Sequence, residues 1–129
     1  MTLEEGWYAH LAADSGVAAL VSTRIYPLVM PQDVDLPAIA YQKISGPRDH
    51  VHEGPSGLVT ARMQVTCLGS SYSAAKGLSE AVRVAVDGFS GTMGTVTVNA
   101  ALLVNEVDSW ADGFEAPVVR LDFMVWYQE

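Results

Sequence analysis

The chain has 129 residues, enough for one domain with its own apolar core and no need of a metal or disulfides. Fifteen acidic residues against seven basic ones leave a net charge of -8, which weighs against tight binding to a phosphate backbone, where cationic side chains supply most of the affinity. The single cysteine, Cys67, excludes an intrachain disulfide, and no run approaches the roughly 20 apolar residues of a membrane-spanning helix.

At the start, Met1-Thr2-Leu3-Glu4-Glu5 is acidic where a signal peptide is basic, so a cytosolic product is expected. Thr2 and Glu5 form a capping-box pattern, and Leu3, Trp7, His10 and Leu11 recur at helical spacing, predicting a helix over Leu3–Ala13. Asp14, Ser15 and Gly16 interrupt it. Val17, Leu20 and Val21 then predict a second short helix ending near Ser22. Pro27 and Pro31 rule out a central strand over residues 25–31, which read as an extended, largely buried crossing segment. Residues 36–45 read as an edge strand that is apolar on both faces, Ile39 and Tyr41 on one, Ala38, Ala40 and Ile44 on the other. In residues 46–57, prolines and glycines surround Arg48, Asp49, His50, His52 and Glu53. That composition predicts a long loop, the first candidate for a contact site.

The clearest pattern follows. Val59, Ala61, Met63, Val65 and Cys67 alternate with Thr60, Arg62, Gln64 and Thr66, a strand with one buried and one wet face. From Ser73 the period becomes helical: Ala74, Ala75, Leu78, Ala81, Val82, Ala85, Val86 and Phe89 form one stripe, with Lys76, Ser79, Glu80, Arg83 and Asp87 opposite and Val84 off it. Ser70, Ser71 or Ser73 caps this helix, Gly88 ends it, and Arg83 and Asp87 are spaced as a charge pair. Gly91 and Gly94 flank a turn. A third strand then has Val96, Val98, Ala100, Leu102 and Val104 on its core face. Residues 108–117 read as a second loop, and Val119, Leu121, Phe123, Val125 and Tyr127 mark a fourth strand.

The expected fold is therefore a single α+β domain over residues 1–129. It has a four-stranded antiparallel sheet, two hairpins flanking a central helix, with the N-terminal and central helices packed on one face. The other sheet face is polar except for Leu103, Met124 and Trp126. Met124 and Trp126 suggest a subunit contact, unless Trp126 packs beneath the N-terminal segment.

Chemistry finds little footing. His50 and His52 alternate on an extended segment and could face one metal ion with Glu53, Asp49 or His10, but no fixed spacing leads to a third ligand, so no metal is expected. Cys67 points into the core, no serine sits in an activating motif, and the glycines at 88, 91 and 94 do not open a helix as a phosphate loop does. No catalytic residue and no cofactor is expected. Asp108, Asp112 and Glu115 lack calcium-loop spacing and read as an acidic rim.

The order of pieces nevertheless resembles a known family. Leu11-Ala12-Ala13-Asp14-Ser15-Gly16, Arg24-Ile25-Tyr26-Pro27, Leu36-Pro37-Ala38-Ile39, Ala61-Arg62-Met63-Gln64-Val65, Leu78-Ser79-Glu80-Ala81 and Arg120-Leu121-Asp122-Phe123-Met124 are together similar to the small tail-completion proteins of long-tailed bacteriophages and prophages. The resemblance covers nearly the whole chain. It implies a structural virion protein, assembled in the bacterial host cytoplasm, that forms a ring, commonly a hexamer, at the head-proximal end of the tail. Its partners would be its own copies, the tail tube protein and the head–tail connector. DNA would pass through without specific binding, and no membrane or catalytic residue is implied. Within such a ring, Met124, Trp126, Arg48, His50 and His52 are the candidate interface residues. Asp108, Asp112 and Glu115 are candidates for the lumen or its rim, where carboxylates repel DNA. The alternatives are a small metal- or ligand-binding domain or enzyme built on the His50 to Glu53 segment, and a ligand domain with a pocket beneath Trp7 and Trp110.

Overall fold

The computed structural model describes the backbone of residues 1–51 and 54–129, with side chains throughout these except at 49–51 and 54–56. Helix α1 (Leu3–Ala13) starts on the capping box: Thr2 Oγ1 accepts from the Glu5 amide and the Glu5 carboxylate accepts from the Thr2 amide at 2.9 Å. Asp14 ends α1 and also caps α2 (Ser15–Val21), its carboxylate accepting from the Val17 amide, so the kink between them is built from one residue.

Seven strands follow: β1 (Ile25–Pro27), β2 (Ala38–Ser45), β3 (Arg48–Val51), β4 (Gly54–Leu68), β5 (Phe89–Met93), β6 (Val96–Ala111) and β7 (Ala116–Gln128), with α3 (Tyr72–Val86) between β4 and β5. Six of them lie side by side in the order β1-β2-β4-β7-β6-β5, and β3 pairs with β4. The β1–β2 pair is parallel and the rest are antiparallel. This corrects the expected four-stranded antiparallel sheet, and the physical reason lies in three short strands. Pro27 holds β1 to three residues, β5 is Phe-Ser-Gly-Thr-Met with no alternation, and β3 lies in a stretch rich in glycine and proline. Hence residues 46–57 are largely a β3–β4 hairpin rather than a loop, His50 pairing with Pro55 and Val51 with Gly54 along the backbone. His52 and Glu53 lie outside the described residues.

One sheet face carries the core. Val59, Ala61, Met63, Val65 and Cys67 of β4 and Val119, Leu121, Phe123 and Val125 of β7 are wholly buried beneath the helices. Trp7 of α1 meets Phe123 edge to face at 5.6 Å. Helix α3 buries Ala75, Leu78, Val82 and Val86. Each of the three larger side chains contributes about 1.5–3 kcal/mol before its entropy cost. Ser71 is the cap of α3, and Gly88, at φ +81°, takes the left-handed position beyond its end. Two details of α3 differ from the sequence reading: Ser79 is buried and donates to the Lys76 carbonyl, and Arg83 pairs with Glu80 while the Asp87 carboxylate accepts from the Leu103 amide; Val84, off the stripe, is exposed.

At one end the opposite face is also covered, by residues 28–36. Met30, Ala38, Ala40, Leu68 and Val118 form a second apolar cluster there with Leu36 and Phe114 around it. This explains why β2 is apolar on both faces. The crossing segment itself is less buried than expected, since Leu28 and Val29 stand in solvent.

Strand β6 holds the largest departure in register. Its pairing with β7 slips between Val98 and Ala100 and again between Leu103 and Asn105. The first bulge, at Asn99, inverts the faces: Ala101 and Leu103 turn to the core and Leu102 turns outward. Residues 108–117 are not a loop either, because β6 runs through Ala111 and β7 starts at Ala116, leaving only a tight turn.

Candidate functional site

The open sheet face is set by the alternation of β4 and β7. Trp126 lies between Thr60 and Ala100, Met124 between Arg62 and Leu102, Asp122 between Gln64 and Asn105, and Arg120 between Thr66 and Val107. Trp126 is thus on the face away from α1 rather than beneath the N-terminal segment. Asp122 is nearly buried, and its carboxylate accepts from Arg62 Nη2 at 2.8 Å and Gln64 Nε2 at 3.0 Å. Both donors rise from β4 directly across from β7, so the pairing locks the register at the middle of the face. Beside this polar knot, Leu102, Met124 and Trp126 form a partly exposed apolar band that nothing in the sequence analysis had joined to Leu102.

Arg48 sits on β3 opposite Val59, which pairs in turn with Tyr127, so it lies across β4 at the Trp126 end of the sheet. Its guanidinium grips the C-terminal Glu129 side chain at 2.6 and 3.2 Å, and this contact holds the Glu129 carboxyl below the usual carboxylate range. The side chains of His50 and His52, the other interface candidates, lie outside the described residues. His10, the other histidine weighed as a metal ligand, is engaged elsewhere: Nε2 donates to the Ala85 carbonyl at 2.7 Å and its ring stacks on Phe89.

The three acidic candidates are differently placed. Asp108 is a strand residue on the helix side of β6, where its carboxylate accepts from Tyr72 Oη at 2.7 Å and Lys76 Nζ at 3.2 Å. Those two hydrogen bonds, the tyrosine's first, hold its pKa below the usual carboxylate value. Lys76 also binds Glu106 at 2.8 Å, so a single cation from the first turns of α3 bridges two carboxylates of β6 and has its own pKa raised in return. Asp112 and Glu115 belong to the β6–β7 turn, whose Gly113 carbonyl accepts from Gln32. Tyr72, Lys76 and Glu106 were missed as site residues because their meeting depends on where α3 crosses β6, which no local pattern records.

Two concavities are open to solvent. One of about 410 Å³ lies between the N-terminus and the C-terminus, with Glu4, Lys43, Arg48 and Glu129 on its walls. The other, about 360 Å³, is mainly apolar, lined by Leu28, Val29, Met30, Phe114 and Val118 with Arg120 at one side. Neither lies beneath Trp7 and Trp110: Trp7 is in the core against Phe123, whose partner Leu103 is seven residues before Trp110 along β6. Among the described residues no three of His, Cys, Asp and Glu converge as metal ligands. Burial pushes the Cys67 thiol pKa well up, so the thiolate needed for nucleophilic chemistry is disfavoured.

No curated protein matches this chain. A chain from the solved structure "Virion of native gene transfer agent (GTA) particle" has the same fold, with a TM-score of 0.78 and 17% identity over 95% of this chain and 92% of that one. The family model for tail completion protein gp17 matches residues 7–128, nearly the full length and the same stretch that carries the resemblance seen in the sequence. The chain therefore belongs to the tail completion protein gp17 family, structural proteins of the phage tail.

Proposed function

We propose that copies of this chain close into a ring, a hexamer, at the head-proximal end of the tail, where the ring terminates the tail tube, joins it to the head connector, or does both, while DNA passes through the lumen. The observation that carries this reading is the family match over residues 7–128. A closed ring needs unlike surfaces that meet head to tail. In this proposal they are the two sides of the sheet: on one, the Leu102, Met124 and Trp126 band with the β6 edge beside it, and on the other, across β4, the β1–β2 edge together with β3 and its Arg48, with His50 and His52 as further candidates from the same stretch of sequence. A surplus of eight negative charges suits a conduit for DNA, because each cationic phosphate contact would retard passage. Asp112 and Glu115 on the hairpin turn, with Asp108 behind them, line the lumen or its rim in this proposal.

Deleting the gene from a producing host tests it. Filled heads and tails that fail to join, or tails of irregular length, are expected, with joining restored by the wild-type chain. Fully joined, infectious particles made without it would overturn the proposal. The competing reading, a metal-dependent domain on His50, His52 and Glu53, is separated by bound-metal analysis of the purified chain. Stoichiometric zinc or nickel lost on replacing His50 would favour that reading instead.

A further inference from the structure

We infer that the outer edge of β6 over residues 102–111 is a strand-docking site for the β1–β2 edge of a second copy, so that the sheet runs on from subunit to subunit. The inference rests on the ring reading above and specifies its contact. Strand β5 covers β6 only as far as Ala101, and among the described residues no strand lies outside it from Leu102 to Ala111. The Leu103 amide there is met by the Asp87 carboxylate, and beyond it the backbone groups on that side face solvent or another chain. Edges that remain single are commonly defended by lysine, proline, a bulge or a free charge. Beyond the bulge at Val104, residues 105–111 contain no lysine and no proline, and β6 pairs with β7 without a further slip. Their two carboxylates, Glu106 and Asp108, are both held by Lys76, so neither is free, although the cluster keeps one net negative charge. Leu102, Val104, Val107 and Trp110 along this edge are each 44–55% exposed, an apolar load that a permanently solvated edge does not need.

Charge and strand sense select the occupant. Two β6 edges paired about a two-fold axis would set Glu106 and Asp108 against the same residues of the other copy, and like charges across a ladder are unfavourable. The opposite edge of the sheet is complementary. Strands β1 and β2 carry no carboxylate; Lys43 lies on β2, where it meets Glu4 at 3.5 Å and donates to Tyr127 Oη, and Arg24 immediately precedes β1, where its guanidinium donates to the Pro37 and Leu20 carbonyls. Pro27 ends β1, so β2 is uncovered from Gln42 to Ser45, with Ile44 exposed, and Leu28 and Val29 project beside it. Strand sense agrees as well. β2 is antiparallel to β4, β4 to β7 and β7 to β6, which makes the β2 of a following copy antiparallel to β6, the more stable ladder. The two edges lie on opposite sides of one sheet, as head-to-tail closure demands.

The test compares the wild-type chain with Val107→Lys, whose new ammonium on the edge opposes docking but touches nothing in the core, and with Val84→Lys as a control on the exposed side of α3. Sedimentation and native mass measurements up to about 1 mM, an upper range for weak transient contacts, give the assembly state, and hydrogen exchange reports the amides of residues 105–111. The expected result is a wild-type oligomer in which alternate amides of this run exchange at least about tenfold more slowly than in the monomer, and a monomeric Val107→Lys whose thermal unfolding matches that of the wild-type chain diluted to the monomer. A ring that forms equally well in Val107→Lys, with residues 105–111 exchanging as in the monomer, overturns the edge contact and leaves the ring reading standing. A wild-type chain that is monomeric at every concentration, and absent as a ring from the assembled particle, overturns both.

Discussion

Replacing glycine by alanine at two sites 8 residues apart, one just before α3 and one within it, should move stability in opposite directions. Gly77 lies in the exposed face of α3, and a Cβ added there meets no atom within 4 Å. Gly77→Ala should therefore stabilise by about 0.5–1 kcal/mol, the conformational entropy that glycine forfeits in a helix interior. Gly69 joins β4 to α3, and a Cβ there would come within 2.8 Å of Ala74 C and Ala75 Cα and closer still to the Ala75 amide nitrogen, all backbone atoms. Ordinary contact begins near 3.4 Å, so the first turn of α3 would have to withdraw by at least about 0.6 Å. Overpacking of this kind costs about 1–3 kcal/mol, and the upper half of that range is expected because no flexible side chain can yield. At about 3–4 °C per kcal/mol for a domain of this size, Gly77→Ala should raise Tm by about 2–4 °C and Gly69→Ala lower it by about 6–12 °C. Urea unfolding followed by circular dichroism and tryptophan fluorescence, with m unchanged, measures both. A Gly69→Ala variant within about 0.5 kcal/mol of wild type, or a destabilised Gly77→Ala, would refute the description of how α3 seats on the sheet.

Asp108 supplies a pH test. Its pKa is lowered in the folded chain, first by the Tyr72 hydroxyl and then by Lys76, so the folded state binds the proton more weakly than the unfolded one. The associated stability is full above the ordinary carboxylate range, near pH 4, and is lost as pH falls through the lower folded value. In an NMR titration, Tyr72→Phe should raise the Asp108 pKa toward the ordinary value, and an unchanged midpoint would show that the 2.7 Å hydrogen bond is absent in solution. Cys67 is wholly buried with its pKa pushed up, so a thiol reagent should react only as fast as the chain opens; rapid labelling of the native protein would contradict its place in the core.

The parts of this fold that were legible are those whose periodicity is undisturbed. The Thr2–Glu5 box, the break at Asp14, the alternation from Val59 to Cys67 and the stripe from Ala75 to Val86 each follow from contacts within one element. The strand count failed where pairing is decided at long range. Ile25–Pro27 is a strand only because β2 lies beside it, and Phe89–Met93 only because β6 does. In β6 the pattern was present but misread: the extra residue at Asn99 exchanges the two faces, so Leu102 and Val104, expected in the core, stand outside while Ala101 and Leu103 turn in. The open-face position of Met124 and Trp126 was readable from the unbroken alternation of β7. The edge beside them was not, because a strand's missing neighbour leaves no mark in its own sequence.

A reconstruction of the assembled particle tests the central claim most directly. The account predicts a closed ring of this chain between the tail tube and the head connector. Its lumen should be acidic with Asp112 and Glu115 at or near the wall, and residues 102–111 of each subunit should lie against β1 and β2 of the next. A basic lumen, a ring joined through other surfaces with that edge left in solvent, or a particle that lacks the chain would contradict it.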